Sequence, residues 1–390
     1  MPLSSLATPR LLVDEHRLQQ NISRMQARAD REDVALRPHT KTHKSVAVAR
    51  RQLKAGAAGI TVAKPAEAEV FAEAGFGDIR LAYTVVGEEK YARLQRLREG
   101  GVEVSFCIDT PEGARLASSY YEDKAPAEVL MEIDVGQGRC GINWQHHDEI
   151  VSLAREVEEL EGLLLAGILT HAGQAYYGPK EGESPVEALW RVSQQEGSRM
   201  LSVAGVLNEA GVDAARPGAF EISVGSTPTA SHFQNQTAAD FTITDIRPGN
   251  YVYFDAMQVS LGSCQWDDCA LTVLATVISK RAADDGTERL YLDAGKKVFT
   301  SDKGYLQDGH GALLDQTMPR VVQGDAIIHA LSEEHGWVRT EEPIGHEVGD
   351  RVRVIPNHAC TAVHTQDELV LMKEGEPVGE LTIDARWAST

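Results

Sequence analysis

From about residue 34 to 255, short apolar runs alternate with longer stretches whose apolar residues recur on one helical face. This alternation constrains the fold more than any other feature of the chain. A short apolar run bounded by Gly, Pro or Asp suits a strand buried on both faces, whereas helical recurrence suits an amphipathic helix. The strand-like runs are Val34–Lys41, Gly59–Ala63, Ile79–Val85, Val102–Asp109, Ala127–Val135, Leu163–His171, Phe220–Gly225 and Phe241–Ile246. Between them lie the helix-like segments Ser45–Ala55, Pro65–Ala74, Glu88–Arg98, Pro111–Ser119, His147–Leu160 and Val186–Ala210. Ahead of them, Leu18, Ile22, Met25 and Ala29 share one helical face. About eight strand–helix units in a row predict an α/β fold of the (β/α)8 TIM-barrel type. A doubly wound sheet gives similar alternation and stays open at this level.

After Asp255 the texture changes. Ala270–Ile278, Arg289–Asp293, Arg351–Ile355, Leu369–Met372 and Val378–Ile383 are strand-like, with no long helical pattern between them. They predict a separate C-terminal β-rich domain, to which Pro9–Val13 can add a strand. The expected division is a barrel over 15–255 and a β domain over 256–390 together with 1–14. A chain of 390 residues is long enough for two such cores.

The formal charge of −20 argues against nucleic acid as the main partner. No run of about 18 apolar residues appears, so no membrane span is expected. The opening MPLSSLATPR has no apolar signal core, which predicts a cytoplasmic protein. Five cysteines, Cys107, Cys140, Cys264, Cys269 and Cys360, are few and scattered, unlike a disulfide framework.

Barrel enzymes carry their chemistry at the C-terminal ends of the strands. Applied here, the rule selects Lys41 after the first strand and Arg139 in the loop after the fifth. It selects His171 and Tyr176 after the sixth, Gly225, Ser226 and Thr227 after the seventh, and Gly249, Asn250 and Tyr251 after the eighth. Each also has a plain reading. Lys41 is either a solvated surface lysine or an amine held beside His39, His43 and the rigid Pro38 for carbonyl chemistry. His39 and His43 either assist it or cap and pack the turn. Gly225–Thr229 is either an ordinary turn or a phosphate cup in which backbone N–H groups and hydroxyls donate to an anion. Arg139 either ties its own loop or holds a phenolate; His171 is either a core histidine or a ring lying against a flat ligand. Far away, His358 and Cys360 carry the donor types for a soft divalent metal, and two apart in a strand they would face the same way. The alternative is a buried Cys and a packed His.

RPHTKTHK at 37–44, His171-Ala172-Gly173, GSTPT at 225–229, RPGNYVYFD at 247–255, EEHG at 333–336 and PNHAC at 356–360 resemble the D-serine dehydratase and D-threonine aldolase family. These are alanine-racemase-like (fold type III) pyridoxal-phosphate enzymes. The resemblance runs in order through nearly the whole chain, departing locally at Lys64-Pro65. It implies a barrel plus a β domain, usually paired as a homodimer. It also implies Lys41 as the Schiff-base lysine and His358 with Cys360 as the ligands of a divalent metal, zinc, with manganese or another ion as the alternative. The His-x-Cys pair and the GSTPTA and PNHACTA segments look like the dehydratase version, in particular that acting on D-threo-3-hydroxyaspartate. The implied activity is a lyase on a D-β-hydroxy amino acid, giving a 2-oxo acid and ammonia. The alternative is aldolase-type cleavage to glycine and an aldehyde. An amino-acid racemase would need a second base, and a non-catalytic pyridoxal-phosphate carrier would need neither the β domain nor a metal.

Overall fold

The computed structural model describes residues 5–282, 287–304, 309–314, 322–341 and 344–390. The chain forms two compact units, one of Met25–Lys41, Gln52–Gly249 and Trp387–Thr390, the other of Met1–Arg24, Thr42–Arg51 and Asn250–Arg386.

The first unit is built on eight parallel strands: β1 (Ala35–Leu36), β2 (Ile60–Val62), β3 (Asp78–Thr84), β4 (Glu103–Ile108), β5 (Ala127–Asp134), β6 (Leu163–Leu169), β7 (Glu221–Val224) and β8 (Asp245–Ile246). Their spatial order is β1-β8-β7-β6-β5-β4-β3-β2. A parallel bridge between His39 and Thr61, with Thr61 N–H donating to Pro38 O at 2.9 Å, joins the two ends. A doubly wound sheet would leave two open edges, so this closure decides for the barrel.

The helices Pro65–Glu73, Glu88–Glu99, Pro111–Tyr121, His147–Glu159 and Pro185–Glu209 follow β2 to β6 in turn. Their starts are written into the sequence. Pro opens three of them, where its missing N–H costs nothing; Thr110 caps Gly113 N–H, and Ser184 with Glu187 forms a capping box.

Two expected strands are shorter than their apolar runs. β1 ends at Leu36, Pro38 cannot donate to a ladder, and Lys41 lies in a 3-10 turn, Thr40–Thr42, rather than at a strand end. The run Phe241–Ile246 splits. Phe241–Thr242 pairs with Thr237–Ala238 across a two-residue turn with Ala239 and Asp240 at φ 49° and 65°, and only Asp245–Ile246 joins the barrel.

In the second unit, Leu271–Ala282, Glu288–Leu292, Gly336–Thr340, Val322–Leu331, Gly311–Leu314 and Arg351–Pro356 pair antiparallel in that order, and the last returns to the first. This closed barrel is extended by Arg10–Asp14, antiparallel to Leu271–Ala282 and parallel to Glu368–Lys373, which forms a hairpin with Glu376–Thr382. The segment Arg10–Asp14 is thus an inner strand of this sheet. Among the described residues no helix is long and apolar enough to cross a membrane.

Candidate active site

The first unit gathers its polar residues on the loops leaving the strands. In the turn after β1, His39 Nδ1 accepts the Lys41 N–H at 3.3 Å, the capping reading of that histidine. Lys41 is half-buried. Past β8, Pro248 O accepts the His39 N–H at 3.0 Å and ties the Lys41 turn to the Arg247–Gly249 loop. After β5, Asp134 accepts the N–H groups of Gly136, Gln137 and Gly138 at 2.8, 2.8 and 3.0 Å. It curls the loop that carries Arg139, whose guanidinium stands 3.5 Å from the buried Glu132 carboxylate. After β6 comes His171, then a 3-10 turn, Gly173–Tyr177, holding the half-buried Tyr176.

After β7, Gly225 adopts φ +117°, and a Cβ there would lie 3.0 Å from Arg247 N, so the position requires glycine. Ser226 caps a four-residue helix, Thr227–Ala230, and its N–H donates to Thr229 Oγ1 at 3.2 Å. Ser226, Thr227 and Gly249 are buried. Arg247, also buried, donates to Ser223 Oγ and Thr170 O. His171 registers this assembly: burial first, then the charges of Lys41, Arg139 and Arg247, push its pKa well below the usual histidine value, and its ring bonds the backbone of Gly225. The structure therefore brings Lys41, Arg139, His171 and the Gly225 loop into one electrostatic neighbourhood, with a neutral imidazole at its centre.

Asn250 and Tyr251 belong to the second unit. Asn250 Nδ2 donates to Asp255 Oδ2 at 2.5 Å and lies 3.8 Å from Cys360 Sγ; Tyr251 is fully buried. In the same unit the competing lysine, Lys44, is buried and donates to Ala385 O at 3.3 Å. His43 Nδ1 accepts the Ser45 N–H at 3.0 Å.

His358 and Cys360 are not in a strand. The strand Arg351–Pro356 stops at its proline, and His358 caps a helix, Ala359–His364. Asp255 causes the change: its buried carboxylate accepts the Ala359 N–H at 2.8 Å. The two side chains nonetheless reach one another within hydrogen-bonding distance. Thr42 Oγ1 lies 3.1 Å from Cys360 Sγ. On the other side of the imidazole, Nδ1 is 2.6 Å from Asp302 Oδ2, which also accepts from Thr361 Oγ1 at 3.1 Å. Burial disfavours charge on His358, but the Cys360 sulfur and the Asp302 carboxylate outweigh it and push the pKa up to about 11. Among the described residues no three His, Cys, Asp or Glu side chains form a closed cage. The donor set fits an ion held by an imidazole and a sulfur with open positions, its histidine oriented by a carboxylate.

Asp302 and Asp255 escaped the sequence reading. Asp255 ends the RPGNYVYFD run, but nothing local marks Asp302.

A protein-family model, the alanine racemase N-terminal domain, matches residues 13–257. The chain belongs to this family. A second model, a serine dehydratase domain, matches residues 270–372. D-threo-3-hydroxyaspartate dehydratase of Delftia sp. (strain HT23) is 35% identical over 370 residues, 92% of each chain. Its solved structure covers 98% of each chain with a TM-score of 0.86 at 32% identity. D-threonine aldolase of Arthrobacter sp. is 33% identical over 384 residues, 96% of this chain and 91% of the relative. A mutant of the dehydratase solved in a metal-free form has a TM-score of 0.86 at 31% identity, over 98% of each chain. Membership of the alanine racemase family implies pyridoxal phosphate. The barrel mouth fits that group: an amine, a neutral flat imidazole, and a loop opened by a glycine at positive φ whose Cβ would press on the Arg247 backbone.

Proposed function

We propose that this protein is a pyridoxal-phosphate- and divalent-metal-dependent lyase of D-β-hydroxy amino acids, acting as a dehydratase that yields a 2-oxo acid and ammonia. D-threo-3-hydroxyaspartate or D-serine is the substrate. The observation that carries the reading is the His358–Cys360 pair with Asp302 on the imidazole Nδ1. Whole-length similarity to a dehydratase supports it.

In this reading residues 15–255 hold the cofactor, and 256–390 with 1–14 carry the metal ligands. When bound, pyridoxal phosphate supplies an electron sink for charge at the α-carbon, and the metal, with zinc favoured by the sulfur ligand, supplies a Lewis acid for the departing hydroxyl. Lys41 holds the cofactor and then takes the α-proton on its amine. His171 would lie against the cofactor ring, and Arg139 and Tyr176 would hold its polar edge. Gly225, Ser226, Thr227, Gly249, Asn250 and Tyr251 would hold the phosphate. His358 and Cys360 hold the metal, with Asp302 fixing the imidazole.

The 33% identity to a D-threonine aldolase favours a second reading, cleavage of the Cα–Cβ bond to glycine and an aldehyde. One assay separates them: a panel of D- and L-β-hydroxy amino acids, with oxo acid, ammonia and aldehyde all measured, with and without chelator. Oxo acid and ammonia in equal amounts, abolished by chelation, are expected. Aldehyde and glycine would transfer the protein to the aldolases, and full turnover in chelator would remove the metal from the reaction. We also propose a homodimer, checked by sedimentation equilibrium.

A further inference from the structure

Glu196 lies on the buried stripe of the Pro185–Glu209 helix, between Val192 and Met200, and is 1% exposed. Burying a carboxylate without partners is strongly unfavourable, so its partners explain its presence. Its Oε1 accepts the Gly225 N–H at 2.8 Å. The backbone of Ala172 and the hydroxyl of Thr229 also reach it. Ala172 follows His171, whose ring bonds the Gly225 backbone. One carboxylate thus ties the loop after β6 to the loop after β7.

These are the two loops that, under the function proposed above, meet opposite ends of one rigid ligand: His171 the ring, Gly225–Thr227 the phosphate. A ligand whose ring and phosphate are covalently linked binds both only if the loops stand at the matching separation. We propose that Glu196 is a positioning residue that sets this separation and so determines how tightly the phosphate end of the cofactor is held. The inference rests on that function being correct.

The test titrates the full-length protein with pyridoxal phosphate and, separately, with pyridoxal, which lacks the phosphate, following protein fluorescence. Glu196→Gln keeps one acceptor but presents an amide N–H₂ to the second backbone donor. It should weaken pyridoxal phosphate about tenfold, the effect of one lost hydrogen bond, and pyridoxal by less than about twofold. Glu196→Asp keeps the carboxyl group one methylene short and should show the same selectivity, which covers the case of a glutamine variant that does not fold. Equal losses for the two ligands would reduce Glu196 to a structural residue, and unchanged affinity for pyridoxal phosphate would overturn the inference. Failure of the unmutated protein to bind pyridoxal phosphate would instead overturn the proposed function, and the inference with it.

Discussion

Inside the ring of parallel strands, Arg80 on β3 reaches across to Glu221 and Asp245 and also bonds Ser105, while Arg247 bonds Ser223 and Thr170. In the β unit, Leu12, Leu274, Val370 and Met372 pack as an apolar cluster. The contrast shows what each core is for. Burial pushes the Asp245 carboxyl up, yet the guanidinium groups of Arg80 and Arg247 outweigh it and hold the carboxyl below its usual range. The barrel interior is therefore a fixed array of charges, and Arg247 passes part of that field to His171 at the mouth. In the β unit, Asp255 and Asp302 organise His358 and Cys360 at one helix start, apart from that apolar cluster in the sequence.

The sharpest test of this division is functional. Lys41→Ala should lower turnover at least about a thousandfold while leaving metal content unchanged. Cys360→Ala should lose the metal while keeping the cofactor absorbance. Loss of both groups in both variants would break the assignment of Lys41 to one cofactor and Cys360 to the other.

The cores can be compared directly. Arg80→Met leaves the buried Asp245 without one of its arginines and should cost about 3–5 kcal/mol in chemical denaturation. Leu274→Ala should cost about 2–5 kcal/mol through its cavity. The Arg80 deficit should shrink in acid as Asp245 takes up a proton, and the Leu274 deficit should not. Parallel pH profiles would show that charge does not hold the barrel.

A smaller effect is expected at the metal pair. Asp302→Ala should weaken metal binding by about 10–100-fold, measured by competition with a chromophoric chelator. Unchanged affinity would leave Asp302 a bystander.

The smallest effect is a slope. His171 is held neutral, with its folded pKa below the ordinary value of about 6.5. Its contribution to stability is present above that pH and is lost as pH falls toward the folded pKa. His171→Gln should flatten the fall in melting temperature between about pH 7 and pH 5. An unaltered slope would show that the imidazole is not buried in the way described.

The fold was legible because burial of a strand or helix face leaves a local period. Ile79, Leu81, Val104 and Phe106 read as strand residues from their neighbours alone, and all four are buried. The ends of elements were less legible. The apolar run Val34–Lys41 concealed the early end of β1, and PNHAC read as extended because a helix cap supplied by Asp255, over a hundred residues earlier, leaves no local mark. Glu196 had a signal, a carboxylate on an otherwise apolar helical stripe, whereas Asp302 sits in a loop where no period exists to be broken.

By itself the sequence determined the alternation that makes a barrel, the break in texture after Asp255, and the presence of an amine, an imidazole and a thiol at motif positions, because these follow from residue type and local spacing. Tertiary structure alone decided that the ring closes through His39 and Thr61, that arginines neutralise its interior, and that Asp302 and Glu196 orient groups they are far from in the chain. Those contacts depend on where folded segments meet, and the energy that selects them is shared among residues that no local window contains together.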